Sequence, residues 1–370
     1  MKLIYLCIGK NNNFNLIRII AALAVLVTHS FALSIGTGDV EPLKKSLDIT
    51  IGMIAIDVFF ITSGFLVTSS LMNRQNIIEF SCARALRIFP ALWIMLVITV
   101  LFIGPYFSAN SLPSYLFDYK TRYYFVKCST LFTGVSYELP GVFNTNPYNN
   151  AVNGSLWTLP WEVRMYTILA VTWIGAACLG RFRDIAFRIL IIAYFIISAI
   201  CVIAIDFGSL STAYDTQFRL FFMFFTGSAI YILRRIIHLS TSSFCFVIII
   251  VAISTIQKVF FHTIYHLSIA YIVFYLAYVP AGFIRKYNLI GDYSYGIYIY
   301  AFPVQQSLAA LIPGISVLYM FMSSAAVTIL LAGISWHAVE KRTLDLKENF
   351  VSQIKSRLAI FVSPLSTGRD

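Results

Sequence analysis

Two polar residues in the first long apolar segment of the chain, Arg18 and His29, are the strongest candidates for chemistry. A charged side chain near the centre of a membrane helix costs about 2.5–3.5 kcal/mol on insertion, so such residues usually serve a function. Their separation of eleven positions corresponds to roughly 16 Å along a helix and to nearly the same face. An imidazole titrates near neutrality, so His29 could act as a general base. Neighbouring helices could instead satisfy both residues as a structural polar pair.

Two carboxylates could assist such a base. Asp57 lies in the apolar segment GMIAIDVFFITSGFLVTSSL, and Glu162 lies in SLWTLPWEVRMY. Glu162 could orient and stabilise a protonated His29, as a carboxylate does in hydrolytic triads. Asp57 needs a partner within the membrane, and Arg18, His29 and Arg164 are the candidates of suitable chemistry. A structural ion pair within the bundle would explain Glu162 equally well.

A pair of arginines in SCARALRIFPALW could bind phosphate. Arg84 and Arg87 are three residues apart and therefore share one face of a helix. Two guanidiniums on one face can bind a phosphate or pyrophosphate through paired hydrogen bonds. The same pair could instead anchor a helix end at the cytosolic surface, where Lys and Arg are enriched.

The segment at about 108–156 is a long loop between apolar segments. It is rich in proline, glycine and aromatic residues and contains the run NTNPYNNAVNG, which includes Asn153. Loops of this length in compact proteins are usually functional or mobile. Trp and Asn side chains can stack on and hydrogen-bond a saccharide, so Asn153, Trp157 and Trp161 are candidates for binding an acceptor. A belt of aromatic residues at the membrane interface is the competing interpretation.

The composition is that of an integral membrane protein. Hydrophobic residues make up 59% of the 370 positions and charged residues only 12%, whereas soluble domains carry about 25% charged residues. Gly64, within the second apolar segment, would allow another helix or a thin ligand to approach its backbone closely. The predicted fold is an all-α, polytopic membrane helix bundle in residues 1–342, followed by a short cytosolic tail at 343–370. Segments long enough to cross a bilayer predict about ten helices, at 14–35, 50–71, 91–108, 159–179, 187–206, 216–234, 244–261, 264–284, 290–312 and 315–338.

Lys and Arg residues are distributed unevenly between the two sides of this bundle. If the N-terminus is cytosolic, the inner segments and the tail hold eighteen of them and the outer segments hold six. The positive-inside rule therefore predicts that both termini are cytosolic. The formal net charge of +11 follows largely from this bias, and we do not interpret it as a sign of nucleic-acid binding.

The remaining histidines and the cysteines show no metal-binding pattern. The six cysteines have no CxxC spacing, and His238, His262 and His266 lack the spacing of a ligand set. No metal site is therefore predicted. His337 and Glu340 are three residues apart and could pair with each other at the inner surface.

Six pieces of the chain, in order, resemble the acyltransferase-3 family of membrane-bound acyltransferases: FNLIRIIAALAVLVTHS, IDVFFITSGFLV, RALRIFPALW, NGSLWTLPWEVRMY, GDYSYGIYIYAFPV and VEKR. The resemblance implies a helix bundle that transfers an acyl group, often acetyl from cytosolic acetyl-CoA, to a hydroxyl of an extracytoplasmic glycan or lipid-linked saccharide. The Arg-x10-His motif of the family falls on Arg18 and His29. Its Arg-x-x-Arg motif falls on Arg84 and Arg87, and its carboxylate after the Leu-Trp-Thr run falls on Glu162.

The chain departs from the family at one position of the late tyrosine-rich helix, where many members carry a histidine and this chain has Ala301. We expect His29 to take the proton from the acceptor hydroxyl, or to carry the acyl group briefly. Glu162 or Asp57 would stabilise the imidazolium. Arg18 would stabilise the phosphopantetheine or the developing negative charge.

Acetyl-CoA is the expected acyl donor, with its phosphates on Arg84 and Arg87, although a succinyl group would also fit. The expected partners are a glycan or lipid-linked saccharide acceptor and the membrane lipids. We expect a multi-pass protein of the bacterial cytoplasmic (inner) membrane. A secondary transporter or a polysaccharide-export subunit, which would also place ionisable groups in a bundle but perform no covalent chemistry, is the alternative.

Overall fold

The computed structural model describes residues 1–7, 9, 11–210 and 213–362, and these residues form helices and no β-strand. Short 3-10 or π-helical turns lie at Thr99–Ile103, Gly154–Thr158, Gly180–Phe182, Phe283–Leu289 and Trp336–Glu340. The α-helices are, in chain order, α1 (Leu3–Leu6), α2 (Phe14–Ile35), α3 (Pro42–Leu47), α4 (Ile51–Arg74), α5 (Ile77–Ile98), α6 (Gly104–Phe107), α7 (Leu112–Phe117), α8 (Tyr119–Thr130), α9 (Leu159–Ala177), α10 (Arg183–Asp206), α11 (Asp215–Ile232), α12 (Thr241–Ser254), α13 (Lys258–Tyr278), α14 (Ser294–Leu311), α15 (Val317–Ser335), α16 (Lys341–Asp345) and α17 (Lys347–Val362).

Each apolar segment predicted from the sequence overlaps one of α2, α4, α5 or α9 to α15, although α5 begins at Ile77, well before the predicted start at 91, and α12 ends at Ser254, before the predicted end at 261. The described residues therefore confirm a multi-pass helical membrane fold. Helices α9, α11, α12 and α14 are not among those that qualify as membrane spans by length and apolarity. About ten crossings and cytosolic termini accordingly remain predictions. Six stretches of the described chain do qualify: Phe14–Ile35, Ile51–Arg74, Ile77–Phe107, Gly180–Asp206, Lys258–Tyr278 and Val317–Arg357.

Helices α4 and α11 pack backbone against backbone through two glycines. A Cβ atom on Gly64 would lie 1.9 Å from the carbonyl oxygen of Phe224. A Cβ atom on Gly227 would lie 2.0 Å from the carbonyl oxygen of Ile61. Small residues allow such close crossings in membrane bundles, and the prediction that Gly64 admits a neighbouring helix is confirmed.

Replacing Gly64 with alanine is expected to lower the free energy of unfolding by about 3 kcal/mol, because the added methyl meets backbone that cannot move aside. The thermal unfolding of the detergent-solubilised protein measures this change. A Cβ atom on Gly175, in α9, would have no neighbouring atom within 4 Å, so Gly175→Ala is the matched control and should unfold at or above the wild-type temperature. Equal melting temperatures for the two variants would contradict the close packing.

Helix α2 is held between α4 and α14 by hydrogen bonds on either side of His29. The backbone N–H of Gly52 donates to Thr28 Oγ1 at 2.7 Å. From α14, Gln305 Nε2 donates to the Leu26 carbonyl oxygen at 3.0 Å and to Ser30 Oγ at 2.8 Å. These contacts fix the rotation of α2 and therefore the direction in which His29 points.

The segment 108–156, predicted as a long loop, contains the helices α7 and α8 and a packed interior. Tyr115 and Tyr124 are fully buried. The Tyr115 hydroxyl donates to the Val100 carbonyl oxygen at 3.0 Å, within the π-helical turn that follows α5. Part of the aromatic content of this segment therefore builds its own core and cannot contact an acceptor.

Gln306 of α14 ties this segment to the membrane bundle. Its Nε2 donates to the carbonyl oxygens of Tyr148 and Ala151 at 2.8 and 2.6 Å. Asn146 Nδ2 donates in turn to the Gln306 carbonyl and side-chain oxygens at 2.9 and 2.7 Å. The side-chain amides of Gln305 and Gln306 thus connect α14 by hydrogen bonds to α2 and to the segment 108–156.

Candidate active site

Four charged side chains form an inner cluster, composed of Arg18, Arg87, Asp292 and Glu340, at the end of the bundle predicted to face the cytosol. Asp292 Oδ2 accepts from Arg18 Nη1 at 2.9 Å and from Arg87 Nη2 at 2.6 Å. Arg87 Nη1 also donates to Glu340 Oε2 at 2.8 Å. Two cations and two anions thus balance one another, and the cluster joins α2 and α5 to the segments beside α14 and α15.

Glu340 reaches this cluster from the π-helical turn Trp336–Glu340, in which an extra residue changes the helical register. Ser335 Oγ donates to Glu340 Oε1 at 3.2 Å. The predicted pairing of Glu340 with His337 is therefore wrong, because Glu340 binds Arg87, while His337 Nε2 lies 3.1 Å from the Tyr293 hydroxyl.

A narrow central cavity of about 40 Å³ extends from the inner cluster into the bundle. That volume is enough for a few water molecules. Arg18 borders it on one side and Glu162 on another, together with Thr158 and Tyr298. The Tyr298 hydroxyl donates to the Ser155 carbonyl oxygen at 2.7 Å and contacts Thr158 Oγ1 at 2.6 Å. The cavity is therefore lined by one arginine, one glutamate and several hydroxyl groups, together with apolar side chains such as Ile56 and Phe60.

Glu162 is held by hydroxyl groups of α4 and α9. The Tyr166 hydroxyl donates to its Oε1, and Ser63 Oγ lies 3.5 Å from the same oxygen and 2.8 Å from the Tyr166 hydroxyl. No hydrogen bond or ion pair within the described residues joins Glu162 to His29. The carboxylate thus faces the central cavity, and its direct partners are hydroxyl groups.

His29 lies beside Phe302 of α14, with the two ring centroids 5.1 Å apart in an edge-to-face arrangement. Its Nδ1 atom is buried and has no hydrogen-bond partner. The Oε1 atom of Gln305, one turn further along α14, is also buried without a partner. Buried polar atoms are rarely left unpaired in native proteins, so these two atoms mark the place where a substrate or water could complete the hydrogen bonding.

Asp57 belongs to a second cluster and does not contact His29. Its Oδ2 accepts from the Tyr265 hydroxyl at 2.8 Å, and its Oδ1 lies 3.5 Å from Arg219 Nε. Among the partners considered from the sequence, neither Arg18 nor Arg164 pairs with it. The arginine that does is on α11, far away in sequence.

Arg84 and Arg87 face different neighbours in the structure. Both terminal nitrogens of Arg87 are bound to carboxylates of the inner cluster. The Arg84 guanidinium lies over the Tyr166 ring at 5.9 Å, and its Nε is buried without a partner. Arg18 Nε is likewise buried without a partner. Of the three arginines Arg18, Arg84 and Arg87, the first two thus each keep an Nε donor without an acceptor.

An outer cavity of about 570 Å³ lies beneath the segment 108–156, and Tyr148, Gly154 and Trp157 line it. Phe302, the neighbour of His29, also lies beside two residues of this cavity: its ring centroid is 6.3 Å from that of Tyr148, and its ring would lie 2.6 Å from a Cβ atom on Gly154. No motif or charge pattern pointed to Phe302. The sequence feature that could have suggested a role for Phe302 is its position one turn after Tyr298 in the tyrosine-rich helix.

The three residues predicted to bind an acceptor lie in different surroundings. Trp157 lines the outer cavity. Trp161 stacks on the Arg164 guanidinium at 4.2 Å and lines a separate apolar cavity. Asn153 is fully buried, and its Nδ2 donates to the Ile299 carbonyl oxygen at 2.9 Å. Of the three, Trp157 is placed to contact a molecule in the outer cavity.

Comparison with known proteins decides the family. A family model described as an acyltransferase domain matches residues 11–337. The chain belongs to the acyltransferase-3 family. This match confirms the family predicted from the sequence; it spans Arg18, His29, Arg87 and Asp292 and ends before Glu340.

Two relatives of this acyltransferase are informative. An O-acetyl transferase of Shigella phage Sf6 is 29% identical over 357 residues, which cover 90% of this chain and 96% of that protein. Nodulation protein 10 of Rhizobium leguminosarum bv. viciae is 31% identical over 169 residues, which cover 44% of each chain. No solved structure matches significantly. The prediction of an acyltransferase of the O-acetyltransferase kind is thereby confirmed.

Proposed function

We propose that this acyltransferase moves an acetyl group from cytosolic acetyl-CoA to a hydroxyl of an extracytoplasmic or lipid-linked saccharide, with His29 as the general base. The observation that carries the proposal is the position of His29. Its imidazole has an unpartnered, buried Nδ1 and packs against Phe302, whose ring in turn lies beside Tyr148 and Gly154 of the outer cavity. A small displacement of that ring would give a hydroxyl in the outer cavity access to the base.

The donor side of the proposal rests on Arg18 and Arg84. Each carries a buried guanidinium Nε without an acceptor, and Arg18 borders the central cavity. Unpaired guanidinium donors suit the phosphates and the polar pantetheine arm of an acyl-CoA. Arg87, which is bound to two carboxylates, has the different role of holding the inner cluster together.

The reaction requires one proton transfer and one exchange of bonds at the acyl carbon. His29 accepts the proton of the acceptor hydroxyl while the hydroxyl oxygen forms a C–O bond to the thioester carbonyl carbon. The C–S bond breaks, and the proton leaves with the thiol of CoA. In the two-step form of the same proposal, a ring nitrogen of His29 bonds to the thioester carbon, the C–S bond breaks, and the thiol of CoA leaves with the imidazole proton. The acceptor hydroxyl oxygen then bonds to the acetyl carbon as the C–N bond breaks, and its proton returns to the ring. Glu162 supplies a negative charge facing the central cavity, and Trp157 offers a stacking surface for the saccharide.

A proteoliposome assay tests the proposal and separates it from transport. The purified full-length protein is reconstituted with lipid-linked saccharides extracted from bacterial membranes, and acetyl-CoA carrying a radiolabelled acetyl group is added. We expect the label to become covalently attached to the saccharide fraction and to be released by mild base, as an ester is. Liposomes containing heat-denatured protein are the control. Saccharide that crosses the bilayer without gaining label would identify a transporter instead.

A further inference from the structure

A polar cavity of about 340 Å³, the interfacial cavity, lies at the end of the bundle predicted to face away from the cytosol. Four helices begin or end beside it: Met53 is near the start of α4, Asp206 ends α10, Asp215 begins α11 and His262 is near the start of α13. Helices α4, α10 and α13 lie in stretches that qualify as membrane spans, and the ends of such spans lie at the level of lipid head groups. The cavity has the size of a small-molecule site, about 300–1,000 Å³, and no step of the proposed reaction uses it.

Arg219 of α11 lines the interfacial cavity with a guanidinium that donates no hydrogen bond to any of the described residues. Its side chain is 9% exposed, and its ion-pair partner, Asp57 Oδ1, lies 3.5 Å from Nε. A guanidinium carries several N–H donors, and buried donors are rarely left unpaired in native proteins. Arg219 is therefore placed to bind an anionic oxygen of a molecule in the cavity.

Asp206 lines the same cavity and has one carboxylate oxygen without a hydrogen bond. Its side chain is 8% exposed. The Oδ2 atom accepts from Thr263 Oγ1 at 3.1 Å and lies 2.9 Å from His266 Nδ1, whereas no hydrogen bond within the described part of the chain uses Oδ1. An ionised carboxylate only accepts hydrogen bonds, so Oδ1 suits an N–H donor of a bound molecule.

The charges of the lining favour a ligand that carries both signs. The carboxylates of Asp48, Asp206 and Asp215 line the cavity together with the guanidinium of Arg219, and Asp48 is bound to Lys44 at 2.6 Å. A purely anionic ligand would face the other two carboxylates, and a purely cationic ligand would face Arg219. Like charges placed against each other lower affinity. A group with an anionic oxygen and an ammonium a few bonds apart avoids both repulsions.

We propose that the interfacial cavity binds the phosphoethanolamine head group of a membrane lipid, with the phosphate on Arg219 and the ammonium on Asp206. Phosphate oxygens match the planar donors of a guanidinium, and a primary ammonium donates hydrogen bonds to a carboxylate. The depth of the cavity, at the ends of helices long enough to span a membrane, argues for a lipid. Met53, Val202 and Ile205 also line it and offer apolar contact to the part of the lipid next to the head group.

Native mass spectrometry of the full-length protein in detergent tests the inference without an activity measurement. The probes are phosphatidylethanolamine, phosphatidylglycerol and phosphatidylcholine with identical acyl chains. We expect saturable binding of phosphatidylethanolamine with a Kd about tenfold lower than that of either other lipid, because glycerol carries no ammonium and the choline nitrogen has no N–H to donate. Equal affinity for phosphatidylglycerol would overturn the proposal. So would the lack of saturable binding, which would leave the cavity to water.

Free phosphoethanolamine separates a lipid from a soluble ligand in the same experiment. It lacks the apolar contacts of the lipid, so it should displace phosphatidylethanolamine only at concentrations at least about tenfold above those of a short-chain phosphatidylethanolamine. Displacement at equal concentrations would assign the cavity to a soluble compound and contradict the lipid.

Two variants of α10 test the ammonium site. Asp206→Asn keeps an oxygen that can accept from Thr263 and His266 but removes the charge, so this variant should bind phosphatidylethanolamine and phosphatidylglycerol equally. Asp184 is at the other end of α10, where it pairs with Arg183 and does not line the cavity. Asp184→Asn is therefore the matched control and should keep the preference of the wild type. An Asp206→Asn variant with that preference would overturn the role of Asp206.

Arg219→Lys tests the phosphate site while keeping a positive charge beside Asp57. A lysine lacks the planar, paired donors of a guanidinium, so we expect the Kd for phosphatidylethanolamine to rise about tenfold. An unchanged Kd would overturn the role of Arg219. If this variant does not fold, the lipid preference of the wild type and its loss in Asp206→Asn still decide the proposal.

Discussion

Replacing His29 with alanine is expected to lower kcat for acetyl transfer by about 10²- to 10⁴-fold, the usual contribution of a general base. The melting temperature should change little, because His29 makes no hydrogen bond through Nδ1 and its principal ring contact is with Phe302. Radiolabelled acetyl transfer in proteoliposomes measures kcat, and thermal unfolding in detergent measures stability.

Two further variants make the result specific to the imidazole. His29→Gln keeps a side chain of similar length against Phe302 and should be as inactive as the alanine variant. His238, exposed and bound through Nδ1 to the Ile236 carbonyl, is the control, and His238→Ala should retain wild-type kcat. A His29→Ala variant with wild-type kcat would end the proposal of a histidine base.

The same variants distinguish the one-step from the two-step form of the reaction. In the absence of acceptor, labelled acetyl-CoA should leave acetyl on the wild-type protein only if His29 itself carries the group. Label that appears on the wild type and disappears in His29→Gln supports the covalent carrier. An unlabelled wild type that still transfers acetyl supports the general base.

Alanine at Arg84 and at Arg87 is expected to give two different defects. Arg87→Ala leaves Asp292 and Glu340 buried without their common partner, and breaking such a pair typically costs about 3–5 kcal/mol. Arg84 has a buried Nε without a partner, so its removal leaves no charge uncompensated. We therefore expect Arg84→Ala to melt like the wild type and to raise the KM for acetyl-CoA by about tenfold.

Melting temperatures and donor KM values for both variants check this division. Arg181 is exposed and stacks on Phe182. Arg181→Ala therefore controls for the loss of one arginine on the side predicted to be cytosolic, and it should leave the melting temperature and the KM for acetyl-CoA unchanged. An Arg87→Ala variant of wild-type stability would contradict the structural role of the inner cluster. A wild-type KM in Arg84→Ala would remove that residue from the donor site.

The sequence predicted the helices and the small-residue contact because their signals are local. Runs of apolar residues mark a membrane helix by length alone, and Gly64 within such a run indicates a close crossing. The Arg18–His29 spacing likewise follows from the pitch of one helix. These features depend on residues within a few turns of one another.

Pairing between helices was not predictable in the same way. Asp57 pairs with Arg219 and Tyr265, although nothing in the sequence favours these residues over Arg18. Glu340 faces Arg87 because of a π-helical turn, a register change that regular helical spacing cannot reveal. The contacts of Phe302 with His29 on one helix and with Tyr148 and Gly154 of the outer cavity depend in the same way on how three segments pack.

The inner cluster has a consequence for the biogenesis of the protein. Arg87 is bound to Asp292, 205 residues later, and to Glu340, 253 residues later. During translation the early arginines therefore enter the membrane environment long before their counter-ions have left the ribosome. Arg87 can form both of its ion pairs only after the segment that carries Glu340 has been made, so a nascent chain arrested before Asp292 would expose unneutralised arginines to the insertion and quality-control machinery.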